Sequence, residues 1–219
     1  MLENSRELGG SVLSQSVTWP LAAHTQAKHE ILSRYLQAWL PIMTSYNERV
    51  LIIDGFAGPG EYVGGEIGSP LIMIDAFLNH GYTPVRQKEV VFLFIEKDRD
   101  SCSHLEDLLE QRKSQYQFPP KASFHVFQGT FKDTLNDLLK YLADNRLTMA
   151  PTFAFIDPFG YSHAPLSIIQ GLMRHPKSEV LITANSLGLA DVPLCLGGFI
   201  RQRLRHFVQN YKFICLIWC

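Results

Sequence analysis

The chain has 219 residues, 46% hydrophobic and 19% charged, enough for one water-soluble domain with a full core. Its net charge of −1 gives no global signature of a nucleic-acid binder, although a local basic face stays open. No apolar run nears the roughly 18 residues of a bilayer span, which argues against a membrane partner, and the opening MLENSRELGGSVLSQS lacks the order of a secretory signal.

Residues 1–18 read as a flexible arm, leaving 19–219 for a single domain. A helix is predicted over 25–43, with Ile31, Leu32, Tyr35, Leu36, Trp39 and Leu40 on one face and Pro41 ending or kinking it. A sheet core follows over 49–185. RVLIID is a buried strand, and SPLIMIDAFLNHG a helix with Ser69 as its predicted N-cap and Pro70 at its first position. EVVFLFIE is apolar almost throughout, like a parallel strand covered on both faces. DSCSHLEDLLEQRKSQ is an amphipathic helix, ASFHVFQG a strand, FKDTLNDLLKYLADN a helix, TFAFID a strand, PLSIIQGLMRHP a short helix and EVLITAN a fifth strand. Residues 186–219 are atypical and offer one basic helix, carrying Arg201, Arg203 and Arg205, and one strand. Cys102, Cys195, Cys215 and Cys219 form no CxxC pair and have no histidine at zinc-ligand spacing. Reduced thiols in a cytoplasmic protein, and no metal site, are expected.

This alternation predicts an α/β, Rossmann-like, doubly wound and mostly parallel sheet. Ligands of such sheets bind outside the carboxyl ends of the strands, where strand order reverses. The informative residues therefore follow each strand. After the first comes DGFAGPG, in which Asp54 closes the strand and the glycines run GxxGxG. A dinucleotide fold would run GxGxxG straight into a helix, and a P-loop would add a Lys–Ser/Thr pair; neither occurs here. A ligand without phosphates fits better, with Gly58 and Gly60 allowing close backbone approach and a carboxylate suiting a cationic group. S-adenosylmethionine (SAM) has an ammonium, a sulfonium, a ribose and an adenine, but no phosphate. A purely structural glycine turn is the alternative.

Glu96, ending the second strand in FLFIEKD, can accept both hydroxyls of a ribose, or is simply a solvated strand end. Gln128 and Gly129 end the third strand, where adenine pockets often place a polar side chain and an amide. FIDPFGY ends the fourth strand. Asp157 and the carbonyl before or at Pro158 can accept the two hydrogens of an exocyclic amine, aligning its nitrogen and drawing its lone pair out of conjugation. Phe159 or Tyr161 can stack on the base. The alternative is an Asp–Pro turn of structural use.

Taken together, AKHEILSRYLQAWLP, IDGFAGPGEY, GSPL, FIEKD and FIDPFGY resemble the three-Cys-motif partner proteins of bacteria and archaea, over residues from about Trp19 to Val180. That resemblance implies a methyltransferase-like fold and a partner protein that carries the three cysteines. More distantly, the chain resembles the bacterial adenine-N6 methyltransferases of large-subunit ribosomal RNA, which also have a Lys-His helix, an AGxGxY turn, a GSP helix start and an Asp-Pro-Pro-Tyr loop. This likeness implies that Lys28 and His29 contact SAM, that Phe56, Ala57, Gly58 and Gly60 form its floor, and that Ser69 touches its methionine end. It further implies Glu96 on the ribose, Gln128 and Gly129 beside the adenine, and Asp157 as catalytic. Two departures stand out: the loop here reads Asp-Pro-Phe-Gly, and Gln128 replaces an expected Asp. SAM binding is thus better supported than adenine specificity. The expected activity is transfer of a methyl group to a base amine of RNA or DNA, and the competing expectation is a non-catalytic SAM- or nucleoside-binding subunit.

Overall fold

In the computed structural model, which describes Thr18 and residues 23–158, 163–183 and 214–218, every apolar run read as a strand forms one. β1 (Arg49–Asp54), β2 (Glu89–Glu96), β3 (Ala122–Gln128), β4 (Thr152–Ile156) and β5 (Ser178–Thr183) pair in parallel in the order β3-β2-β1-β4-β5. β6 (Ile214–Trp218) adds an antiparallel edge beside β5. The helices are α1 (Ala23–Tyr46), α2 (Ser69–Leu78), α3 (Arg99–Gln115), α4 (Phe131–Asp144) and α5 (Leu166–Met173). The result is the predicted α/β, Rossmann-like, doubly wound sheet, with strand order reversing beside β1. Residues 1–17 of the predicted 1–18 arm, Phe159, Tyr161, the three arginines of the basic segment, Cys195 and Cys219 lie outside the described residues. Among the described residues no helix is long and apolar enough to cross a membrane.

Strand residues alternate between two cores. Val50, Ile52, Phe92, Phe94, Phe153 and Phe155 pack under α1, α2 and α3, where Leu32, Leu36, Phe77 and Leu105 meet them. Leu51, Ile53, Ala154, Ile156 and Ile182 face the other way, toward Leu135 of α4 and Ile168, Ile169 and Leu172 of α5. Both faces of β1 and β4 are therefore covered, which is why their sequences are apolar without alternation. Each fully buried Leu or Phe contributes about 1.5–3 kcal/mol by leaving water.

Two local expectations are corrected. Pro41 does not end α1, which continues for five more residues to Tyr46. A proline has no N–H for the carbonyl four residues back, here that of Gln37. His80 Nε2 takes its place at 2.9 Å. The ring tautomer is settled by its other nitrogen, which accepts the Tyr82 backbone N–H at 3.0 Å, so Nε2 carries the proton and donates. The second correction concerns α2: its cap is Gly68, with Ser69 as the first helical residue and no side-chain cap bond. A Cβ at Gly68 would stand 2.9 Å from the Gly60 carbonyl oxygen, which accepts the Gly68 N–H at 2.7 Å. Only glycine permits that contact, so the serine moves one place into the helix.

Candidate functional site

Parallel strands bring their carboxyl ends to one edge, and that edge collects the chemistry. Asp54, Glu96 and Gln128 are the last residues of β1, β2 and β3; Asp157 follows β4, and Thr183 ends β5. α3 and α4 start close behind. The Asp98 side chain caps α3 by accepting the Ser101 N–H at 2.8 Å, and Thr130 caps α4 by accepting the Asp133 N–H at 3.1 Å. These caps set where Glu96 and Gly129 stop.

Asp54 is fully buried. Its Oδ1 accepts the Phe56 N–H at 3.0 Å, whereas Oδ2 has no hydrogen-bond partner. Burial pushes its pKa up to about 7, against the Ser69 hydroxyl and the Phe56 amide, which lower it; the charges of Asp157 and Glu96 push it further up. The Ser69 hydroxyl is close enough to lower that pKa as a hydrogen-bond donor does, yet it stands outside hydrogen-bond geometry to Oδ2. Such an orphaned, buried oxygen costs free energy until a donor meets it.

Glu96 is held by backbone. Oε2 accepts the Gly58 N–H and Oε1 the Asp98 N–H, both at 2.8 Å. A carboxylate offers about four lone-pair sites, so each oxygen keeps one for a further donor. The Glu96 carbonyl is also used, by the Gly129 N–H at 2.8 Å and the Cys102 thiol at 3.3 Å. The Gly129 amide is thus committed within the sheet, while the neighbouring Gln128 is exposed. Gly58 and Gly60 adopt left-handed backbone, φ 62° and 90°. The reason for Gly60 is also one of packing: a Cβ there would lie 2.7 Å from Leu105 of α3. Ala57 is buried, and the Phe56 ring stacks on Phe131 at 5.4 Å.

At the other side of the switch point, Lys28 reaches from α1 to Asp157. Its ammonium donates to both carboxylate oxygens, at 2.8 and 3.0 Å, and the Thr183 hydroxyl donates to Oδ1. Lys28 is only 7% exposed. Beside it, burial pulls the His29 imidazole down to about 4, opposed by the Asp157 charge and aided by Lys28. The His29 ring lies 5.8 Å from Tyr62, whose phenol is pushed up to about 12 by burial and by the charges of Asp157 and Asp54. Pro158 is buried.

The edge therefore joins Lys28, His29, Asp54, Glu96 and Asp157. Two participants escaped the sequence reading. Thr183 was visible as the polar residue near the end of EVLITAN, and Tyr62 as the aromatic after the glycine turn. The chemistry of the edge is that of a cation-and-hydroxyl acceptor: three carboxylates converge, and Lys28 pairs with one of them.

No protein-family model matches the chain, and no curated protein does. Among solved structures, a SAM-dependent methyltransferase from Agrobacterium tumefaciens aligns with it at 10% identity and a TM-score of 0.36. The alignment covers 75% of this chain and 46% of that one, so the chain spans less than half the length of that protein.

Proposed function

We propose that this chain is a SAM-binding methyltransferase that acts on an exocyclic amine of a nucleic-acid base in RNA or DNA, adenine being favoured. The observation that carries the reading is the convergence of Asp54, Glu96 and Asp157 at the carboxyl edge of the sheet, with the Asp54 Oδ2 buried and without a partner. A phosphate would be repelled there, whereas a ligand with cationic groups and a diol is matched. The two free lone pairs of Glu96 suit a ribose diol. The glycine turn, Ser69 and His29 border the same edge and are the remaining candidates to hold the cofactor, with Gln128 for its adenine. SAM, when bound, supplies an electrophilic methyl group. The chain's own part is to orient the acceptor: Asp157 accepts one N–H of the amine and the backbone beside Pro158 the other, which localises the nitrogen lone pair for in-line attack.

A second reading has its own support. The donors to Asp157 seen here, Lys28 and Thr183, are internal and take up most of its acceptor capacity. A non-catalytic SAM- or nucleoside-binding subunit, working with a three-Cys-motif partner protein as the family resemblance implies, agrees with that. Calorimetry with SAM tests both readings: binding is expected, and Glu96→Ala is expected to weaken it at least tenfold, the loss of about 1.4 kcal/mol or more that hydroxyl–carboxylate bonds supply. A folded sample giving no heat with SAM would sink the first, and one giving none with adenosine either would sink both. Transfer of a labelled methyl group to total RNA and DNA then separates them, because only the enzyme reading predicts transfer that Asp157→Ala abolishes.

A further inference from the structure

The pair between Lys28 and Asp157 spans 129 positions in sequence and joins α1 to the end of β4. A lysine normally keeps its ammonium in water, yet this one is 7% exposed and is directed at both oxygens of a carboxylate whose side chain is 25% exposed. With the Thr183 hydroxyl, Asp157 accepts three hydrogen bonds. Any outside amine approaching this carboxylate meets a nitrogen already in place, with the same kind of donors. Asp54, whose carboxyl is raised by burial and further by the Asp157 charge, adds a fully buried oxygen with no donor beside it.

We propose that the Asp157–Thr183 end of the sheet is a binding slot for an amine, closed in the free protein by this chain's own Lys28, which must withdraw before an outside amine enters. The inference deepens the reading above and rests on it for the identity of the acceptor, while the slot itself can be tested without the cofactor. Lys28 is on this account a stand-in for the substrate rather than a group that grips the cofactor. An arriving cationic cofactor and Lys28 compete for the same negative charge, so cofactor binding favours release of the lysine and opens Asp157.

The first test uses Lys28→Ala, which empties the slot, with n-butylammonium chloride as probe and tetramethylammonium chloride, which has no N–H, as control. Thermal unfolding is followed by circular dichroism. At about ten times its dissociation constant, n-butylammonium is expected to raise the Tm of the variant by roughly 3–5 °C. Wild type, whose slot is filled, and Lys28→Ala/Asp157→Asn are expected not to respond. A folded Lys28→Ala protein that responds no more than wild type, or equally to tetramethylammonium, overturns the proposal. The second test covers the case in which the alanine variant does not fold. Lys28→Met keeps the bulk and removes the charge, and is expected to bind SAM about threefold or more tightly than wild type, with a smaller change for S-adenosylhomocysteine, which lacks the sulfonium charge. Weaker binding of both ligands would make Lys28 a cofactor contact and refute the lock. No SAM binding by any folded variant sinks the cofactor reading alone, and the n-butylammonium response then decides the slot.

Discussion

Asp54→Asn isolates the most strongly perturbed carboxyl at the strand ends. Asp54 is fully buried, keeps one backbone donor on Oδ1 and leaves Oδ2 unpaired. Its folded pKa of about 7 stands above the ordinary 3.8, so between those values the folded chain holds a proton that the unfolded chain has lost. Stability must therefore fall as pH rises through that window, and the whole cost is present above it. Three pK units at about 1.4 kcal/mol each set that cost at about 4 kcal/mol. Asparagine has the shape of the protonated acid, preserves the acceptor for Phe56 and cannot ionise. Urea unfolding of both proteins from pH 5 to 8 reads the difference directly, since most other titrations cancel between them. The variant is expected to gain on wild type as pH rises, by roughly 2–3 kcal/mol over that range. A gap constant to within about 0.5 kcal/mol would show that Asp54 does not change protonation there, and the burial argument would fail.

His29 titrates with the opposite sign. Its folded pKa of about 4 lies below the usual 6.5, so wild type should lose stability as pH falls from 6.5 toward 4, and His29→Gln should flatten that acid arm in the same unfolding series. His80→Phe strips the Gln37 carbonyl of its donor beside Pro41 and is expected to cost about 1–3 kcal/mol in urea unfolding. Adding Pro41→Ala, which restores a helical N–H, should recover part of that loss; no recovery would break the link between the two residues. Gly68→Ala sets a Cβ 2.9 Å from the Gly60 carbonyl and should cost about 1–3 kcal/mol, whereas Gly81→Ala, which meets open space, should cost far less.

The strands, their parallel sense and the edge that carries the candidate site were legible because covered parallel strands read as apolar runs, and because β1 to β5 each end on a polar residue or are followed by one. Asp54, Glu96 and Asp157 needed nothing more than that rule to be found. Pro41 as a helix end and Ser69 as a helix cap were misjudged for one shared reason. A breaker or a capping residue acts through local backbone bonds, and here distant groups supplied them: His80 donated to Gln37, and the Gly60 carbonyl claimed Gly68.

The amino-acid order by itself determined the periodicities, the strand ends and the absence of a phosphate-binding lysine after the glycines. Those are properties of neighbouring residues, readable at short range. The tertiary structure alone decided that Lys28 closes on Asp157, that the oxygens of Glu96 are half spent on backbone amides, and that Asp54 keeps an orphaned oxygen. Each depends on the distance between groups far apart in the chain and on how much water the packing leaves between them, and electrostatic strength follows from both.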